Sequence, residues 1–168
     1  STLSNGLTYD SRAYDALMEM LDACRAAGLE PLVCSAYRSV SRQTELFNNK
    51  LNRYLADGLS HDEAYAATAA EIAVPGTSEH NLGLAADICA LSYQLLDESQ
   101  ENTPEQQWLM AHCQEYGFIL RYPEDKSELT GIIYEPWHYR YVGKEAAAEI
   151  MEKGLCLEEY LELYYDID

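Results

Sequence analysis

Lysine and arginine are scarce in this chain. Eleven of its 168 residues are basic against 29 acidic ones, a formal net charge of -18. Nucleic-acid backbones are bound by neutralising their phosphates with Lys and Arg, so this balance argues against a nucleic-acid partner. Excess acid aids solubility and can gather cations, and a solvated acidic surface accounts for most of it. Long apolar runs are missing too. No stretch approaches the roughly 20 residues that a membrane-spanning helix needs. The opening STLSNGLTYD lacks the basic start and apolar centre of a secretory signal. Cysteine occurs five times, at positions 24, 34, 89, 113 and 156, with no C-x-x-C pair. That spacing disfavours a finger-type structural zinc site. An odd count cannot all pair within one chain, and most of these positions suit a small buried hydrophobe. Repeats, low-complexity tracts and linkers are also absent.

What is present fits one domain over residues 1–168, with 48% of the residues hydrophobic. Tyr14, Leu17, Met18 and Leu21 recur at helical spacing, which predicts a helix from Ser11 to Ala27 stopped at Gly28. PLVCSAY, Pro31 to Tyr37, reads as a strand. A second helix is expected near Gln43 to Ala56, with Phe47, Leu51, Tyr54 and Leu55 inward. Ser60 and Glu63 predict a capping box at the start of a third, whose inner face is Tyr65, Thr68, Ala69 and Ile72. Pro75 and Gly76 force a loop, and LAADICAL reads as a buried strand. Thr103, Pro104 and Gln106 predict a further capped helix, running to Gly117. FILRY and GIIYEPWHYRYV, separated by a polar turn, suggest a hairpin. A helix over Lys144 to Lys153 and a short one in LEEYLELYY close the chain. Helices and strands mix without regular β-α-β alternation, which predicts an α+β fold with a small, mainly antiparallel sheet flanked by helices.

Four histidines are present. His61 lies in a helix cap and His112 in mid-helix, both in ordinary surroundings. His80 and His138 are different. His80 precedes Asp87 by seven positions in GTSEHNLGLAADI, with Gly83, Ala85 and Ala86 between. On one helix that spacing would separate the two by two turns, too far to share an ion. A loop delivering His80 and a strand carrying Asp87 can bring both to one point. Zinc accepts imidazole nitrogen and carboxylate oxygen, and His138 is the best third ligand. A hydrogen-bonded core histidine is the competing reading for both. In YEPWHYRYVG, Glu135 stands three positions before His138. Three protein ligands leave the fourth zinc position to water, and a nearby carboxylate can take that water's proton. On an extended segment Glu135 and His138 would face opposite ways; Pro136 can break that alternation.

SAYRS with its following Gln43, PGTSEHNLGLAADI and YEPWHYRYVG together resemble the VanY-type D-alanyl-D-alanine carboxypeptidases. These form the M15B branch of zinc peptidases, which includes the LdcB/DacB-like L,D-carboxypeptidases. The resemblance runs from about Leu29 to Leu161. It implies the α+β fold shared with D-Ala-D-Ala dipeptidases and the hedgehog signalling domain. It implies one zinc ion held by His80, Asp87 and His138, with Glu135 as general base. Arg38 would face the peptide being cut, Gln43 and Ser78 would hydrogen-bond its end, and Trp137 and Arg140 would support the site. For both arginines a surface ion pair is the competing reading. The implied substrate is the peptidoglycan stem peptide, with no protein partner. The implied location is outside the cytoplasmic membrane of a bacterium, on an N-terminal anchor beyond this sequence. A D,D-dipeptidase, a wall endopeptidase and a non-catalytic zinc-containing wall-binding module are the alternatives on the same fold.

Overall fold

In the computed structural model, which describes residues 1–165, helix α1 spans Ser11–Ala26 and is capped by the Asp10 side chain. Strand β1 covers Pro31–Ser35. Helix α2 covers Val40–Ala56; it starts earlier than the apolar spacing predicts because the Ser39 side chain accepts from the Arg42 amide and caps it there. Helix α3, His61–Glu71, opens on the expected box between Ser60 and Glu63. Its buried face is Ala64 and Thr68, one step from the predicted one, and Tyr65 is largely exposed beside Phe47 of α2.

Strand β2, Ala85–Ala90, is buried along its whole length. Helix α4, Pro104–His112, is capped by Thr103 and continues as a 3-10 turn to Tyr116. Strand β3 is Phe118–Leu120 and β4 is His138–Tyr141. Between them lies a long connection that includes the short helix α5, Ser127–Thr130. The expected hairpin is thus a pair of short strands joined by a long excursion, and Gly131 to Glu135 is not a strand. Helices α6, Lys144–Lys153, and α7, Leu157–Tyr164, finish the described chain.

The four strands run in the order β1-β2-β4-β3, and every neighbouring pair is antiparallel. This is the α+β arrangement that the mixed element pattern predicts. Side chains alternate across a strand. Ala86 and Ile88 of β2 and Tyr139 of β4 therefore point into the main core against Leu17, Met20 and Leu21 of α1. Asp87 and His138 point to the opposite face, and they are direct cross-strand partners.

Gln106 does not close a capping box. It is fully buried beneath the sheet, where it donates to the Ile88 carbonyl and to Gln100 Oε1 (3.1 Å) and accepts from the Tyr139 hydroxyl (2.8 Å). Gln106→Leu leaves the Tyr139 hydroxyl and the Ile88 carbonyl without this partner. At about 1–3 kcal/mol per buried group left unsatisfied, a loss of about 2–4 kcal/mol in unfolding free energy is expected from urea titration. A change below about 1 kcal/mol would show that water or repacking replaces the amide.

Candidate active site

His80 sits in a 3-10 turn, Glu79–Leu82, which ends at Gly83 with φ 71. A side chain at Gly83 would be strained at that φ, and its Cβ would lie 3.2 Å from the Asp10 amide nitrogen. The turn is tied to the loop after β1: the Arg38 amide donates to the His80 carbonyl (2.9 Å), and Asn81 Nδ2 donates to the Arg38 carbonyl (2.6 Å). His80 is thereby placed over Asp87.

Glu135 and His138 are brought together by a turn. Pro136 and Trp137 occupy its corners, and the His138 amide donates back to the Glu135 carbonyl (3.2 Å). The first and last residues of such a turn face the same way, which overrides strand alternation.

The three expected ligands converge. One ligating atom from each of His80, Asp87 and His138 lies within 4.8 Å of the others, and all three residues are buried. Asp87 uses both oxygens: Oδ2 is 3.2 Å from His80 Nε2, and Oδ1 is 3.3 Å from His138 Nδ1. Glu135 Oε2 is also 3.3 Å from His138 Nδ1. The two imidazoles meet edge-on, 4.9 Å between centroids.

The donor set fits a divalent zinc-type ion. His80 Nδ1 lies 2.7 Å from the Ala36 carbonyl, which can only accept, so Nδ1 carries the hydrogen and Nε2 keeps its lone pair for the site. Asp87 Oδ1 is buried with no hydrogen-bond partner in the protein, an arrangement that is costly unless something else takes its lone pairs. Burial opposes the Asp87 charge, but the two imidazoles packed against it hold its carboxyl well below the usual range. Two imidazoles and one carboxylate suit zinc.

Glu135 behaves differently from Asp87 at the same depth. Burial pushes its carboxyl above the ordinary value, against the opposing pull of the His138 imidazole beside it. A carboxylate so placed is a stronger base than one in water.

These groups face a cleft of about 540 Å³, lined also by Leu46, Ile72, Ile133 and Tyr134. Arg38, Gln43, Ser78 and Trp137 line it as well. Arg38 is held as a fork: Nη1 donates to Gln43 Oε1 and Nη2 to Ser35 Oγ, each at 2.8 Å, and Nη2 lies 3.6 Å from Asp87 Oδ2. Gln43 Nε2 donates to the Ala73 carbonyl (2.7 Å). Both ends of Gln43 are therefore engaged with the protein, and its amide aims Arg38.

Arg140 is not among the residues lining the cleft. Its Nη1 donates to Glu79 Oε1 (2.9 Å) and its Nε to the Tyr141 carbonyl (3.0 Å). Sequence reasoning passed over Glu79, whose only signal is its place between Ser78 and His80. It also missed Tyr122, whose ring lies 4.8 Å from that of His138, and Cys34, whose thiol donates to the Asp87 carbonyl (3.3 Å) from a bulge in β1. His61 is exposed and His112 is half-buried against Trp108.

A family model described as VanY, D-alanyl-D-alanine carboxypeptidase, matches residues 6–144. The chain belongs to the VanY family. A D-alanyl-D-alanine carboxypeptidase of Enterococcus faecalis is 47% identical over 161 residues, 95% of this VanY-family chain and 58% of that protein. This chain thus spans less than two thirds of that relative's length. Among solved structures, VanYB in complex with D-alanine-D-alanine is 45% identical with a TM-score of 0.90, covering 98% of this chain and 88% of that one. A mutant of the vancomycin resistance D,D-pentapeptidase VanY in complex with Zn(II) is 46% identical with a TM-score of 0.86, covering 96% of this chain and 88% of that one. The α+β fold here is the VanY fold.

Proposed function

We propose that this VanY-family chain is a zinc-dependent carboxypeptidase that removes the terminal D-alanine from peptidoglycan stem peptides. The observation that carries it is the convergence of His80, Asp87 and His138 on one point, with Glu135 beside them, at the base of a cleft. One zinc ion per chain fits that point. When bound, zinc supplies Lewis acidity, polarising a carbonyl and lowering the pKa of water to about 7.

The side chains do the rest. Glu135 takes the proton of the attacking water and returns it to the leaving amine. Its raised proton affinity suits both directions of that transfer. Arg38, aimed by Gln43 and Ser35, offers a fixed fork to the terminal carboxylate or to the developing oxyanion. Ser78 adds a hydroxyl to the substrate end, and Trp137 gives the cleft an aromatic wall. Arg140 acts from behind the ligands. A module that only bound the wall would have no use for a carboxylate beside the ligand set, so Glu135 favours catalysis.

The likeness to a structure holding D-alanine-D-alanine favours a D,D bond over an L,D bond. Incubation with defined tri-, tetra- and pentapeptide stems, read by mass, tests this. Loss of one alanine from the pentapeptide is the expected result. Loss of alanine from the tetrapeptide would assign the L,D reaction, and release of a dipeptide would assign a D,D-dipeptidase.

A peptidoglycan substrate supports action outside the cytoplasmic membrane, and our reading is one catalytic domain over residues 1–168 held there by an N-terminal anchor. Among the described residues no helix is long and apolar enough to cross a membrane.

Recognition of a free chain end gives a second test. An amidated substrate brings the Arg38 fork no charge and one acceptor oxygen fewer, at a cost of about 1–3 kcal/mol. That is about a tenfold to hundredfold loss in kcat/KM relative to the free acid. Arg38→Ala is expected to cut the free acid poorly and to discriminate less between acid and amide. Equal rates on the two with the unaltered protein would favour an endopeptidase.

A further inference from the structure

The two histidines of the site present opposite nitrogens to it. His80 turns Nε2 inward, and the Ala36 carbonyl holds its Nδ1 hydrogen. His138 turns Nδ1 inward, toward Asp87 and Glu135, and its Nε2 faces Glu79 Oε2 at 3.3 Å. A neutral imidazole has one donor and one acceptor nitrogen, and a carboxylate can only accept. With a zinc ion taking the inward Nδ1 lone pair, the hydrogen sits on Nε2 and Glu79 is its acceptor.

Glu79 is itself buried and held from the far side. Its Oε1 accepts from Arg121 Nε (2.6 Å) and Arg140 Nη1 (2.9 Å), while Oε2 is left for His138. Arg121 is fixed in turn by Glu158 of α7, through Nη1 (2.9 Å) and Nη2 (2.5 Å). Two guanidinium groups thus face the buried carboxylate from the side away from His138. A plain ion-pair anchor would need no oxygen directed at the imidazole.

We propose that Glu79 is a positioning residue for the metal centre: it sets the tautomer and ring orientation of His138, and Arg121 and Arg140 hold it in place for that task. This inference rests on the zinc reading of His80, Asp87 and His138. Acceptors behind metal-bound imidazoles typically contribute about 10- to 100-fold in metal affinity.

Glu79→Gln is a sharp probe because the amide cannot sit either way. The two arginines are donors and will hold its carbonyl oxygen at the Oε1 position. The amide nitrogen then faces His138 and donates to Nε2, which moves the imidazole hydrogen to Nδ1, the wrong side. Glu79→Asp keeps the charge between the arginines but is one methylene too short to reach His138. Zinc affinity is measured on the apo-protein by competition with a chromogenic chelator, beside circular dichroism of each variant and the visible spectrum of its cobalt form. Both variants are expected to fold, to bind zinc about tenfold to a hundredfold more weakly, and to show an altered cobalt spectrum. A folded variant that binds zinc within about twofold of the unaltered protein overturns the proposal, as does failure of both variants to fold, which would make Glu79 part of the scaffold alone. Failure of the unaltered protein to bind zinc would instead sink the metal reading itself.

Discussion

Glu135→Ala is expected to lower kcat by about 10²- to 10⁴-fold, the range for removal of a general base, while leaving the bound zinc in place. The reason is geometric. Glu135 Oε2 lies 3.3 Å from His138 Nδ1, and the proposed ligand set of His80, Asp87 and His138 does not need it. Its carboxyl is also the one that burial pushes up, the direction that suits a group exchanging protons near neutral pH. KM should change little, because truncation leaves the Arg38 fork and the apolar walls untouched. Metal analysis of the variant beside steady-state kinetics checks both halves. Loss of zinc together with activity would make Glu135 a ligand and overturn the division of roles.

His138→Ala is expected to lose zinc and turnover together. Its imidazole lies between the two carboxylates of the site, with the Tyr122 ring against it and Glu79 behind. Truncation removes one of three ligands and exposes Asp87, Glu135 and Glu79 to one another without an intervening cation or donor. Buried like charges repel, so apo-protein stability should fall as well. Inductively coupled plasma analysis after dialysis is expected to find less than a tenth of the unaltered zinc content, as losing a ligand costs at least as much as the ten- to hundredfold of losing its outer partner. Retention of stoichiometric zinc by a folded His138→Ala protein would remove His138 from the ligand set and with it the proposed centre. Chelation of the unaltered protein should likewise abolish activity, and added zinc should restore it.

Much of the site was legible in the sequence because its chemistry depends on residue type. Two histidines and an aspartate in small-residue surroundings suit a zinc set, and a glutamate ahead of Pro-Trp-His is a candidate base beside them. The capping signals at Ser60 and Thr103 were legible for a similar reason, since a cap is satisfied within one turn of chain. The boundary of α2 was misread because its first turn is polar, and apolar spacing is silent there. The β3–β4 hairpin was misread because a run rich in Ile and Tyr looks like a strand, although Ile132 and Ile133 serve as a cleft wall.

By itself the sequence determined most element types and the α+β class and singled out candidate reactive groups, since each follows from local spacing or side-chain chemistry. The tertiary structure decided what lies between distant segments. The register of β2 against β4 sets Asp87 opposite His138. The Pro136–Trp137 turn sets Glu135 on the same side. The partner of each arginine was also decided there: Arg38 goes to Gln43, Ser35 and Asp87, and Arg140 to a carboxylate outside the cleft. The physical reason is that a long charged side chain reaches several partners from one backbone position, and only the packed arrangement of Glu79, Arg121 and Glu158 around it selects among them.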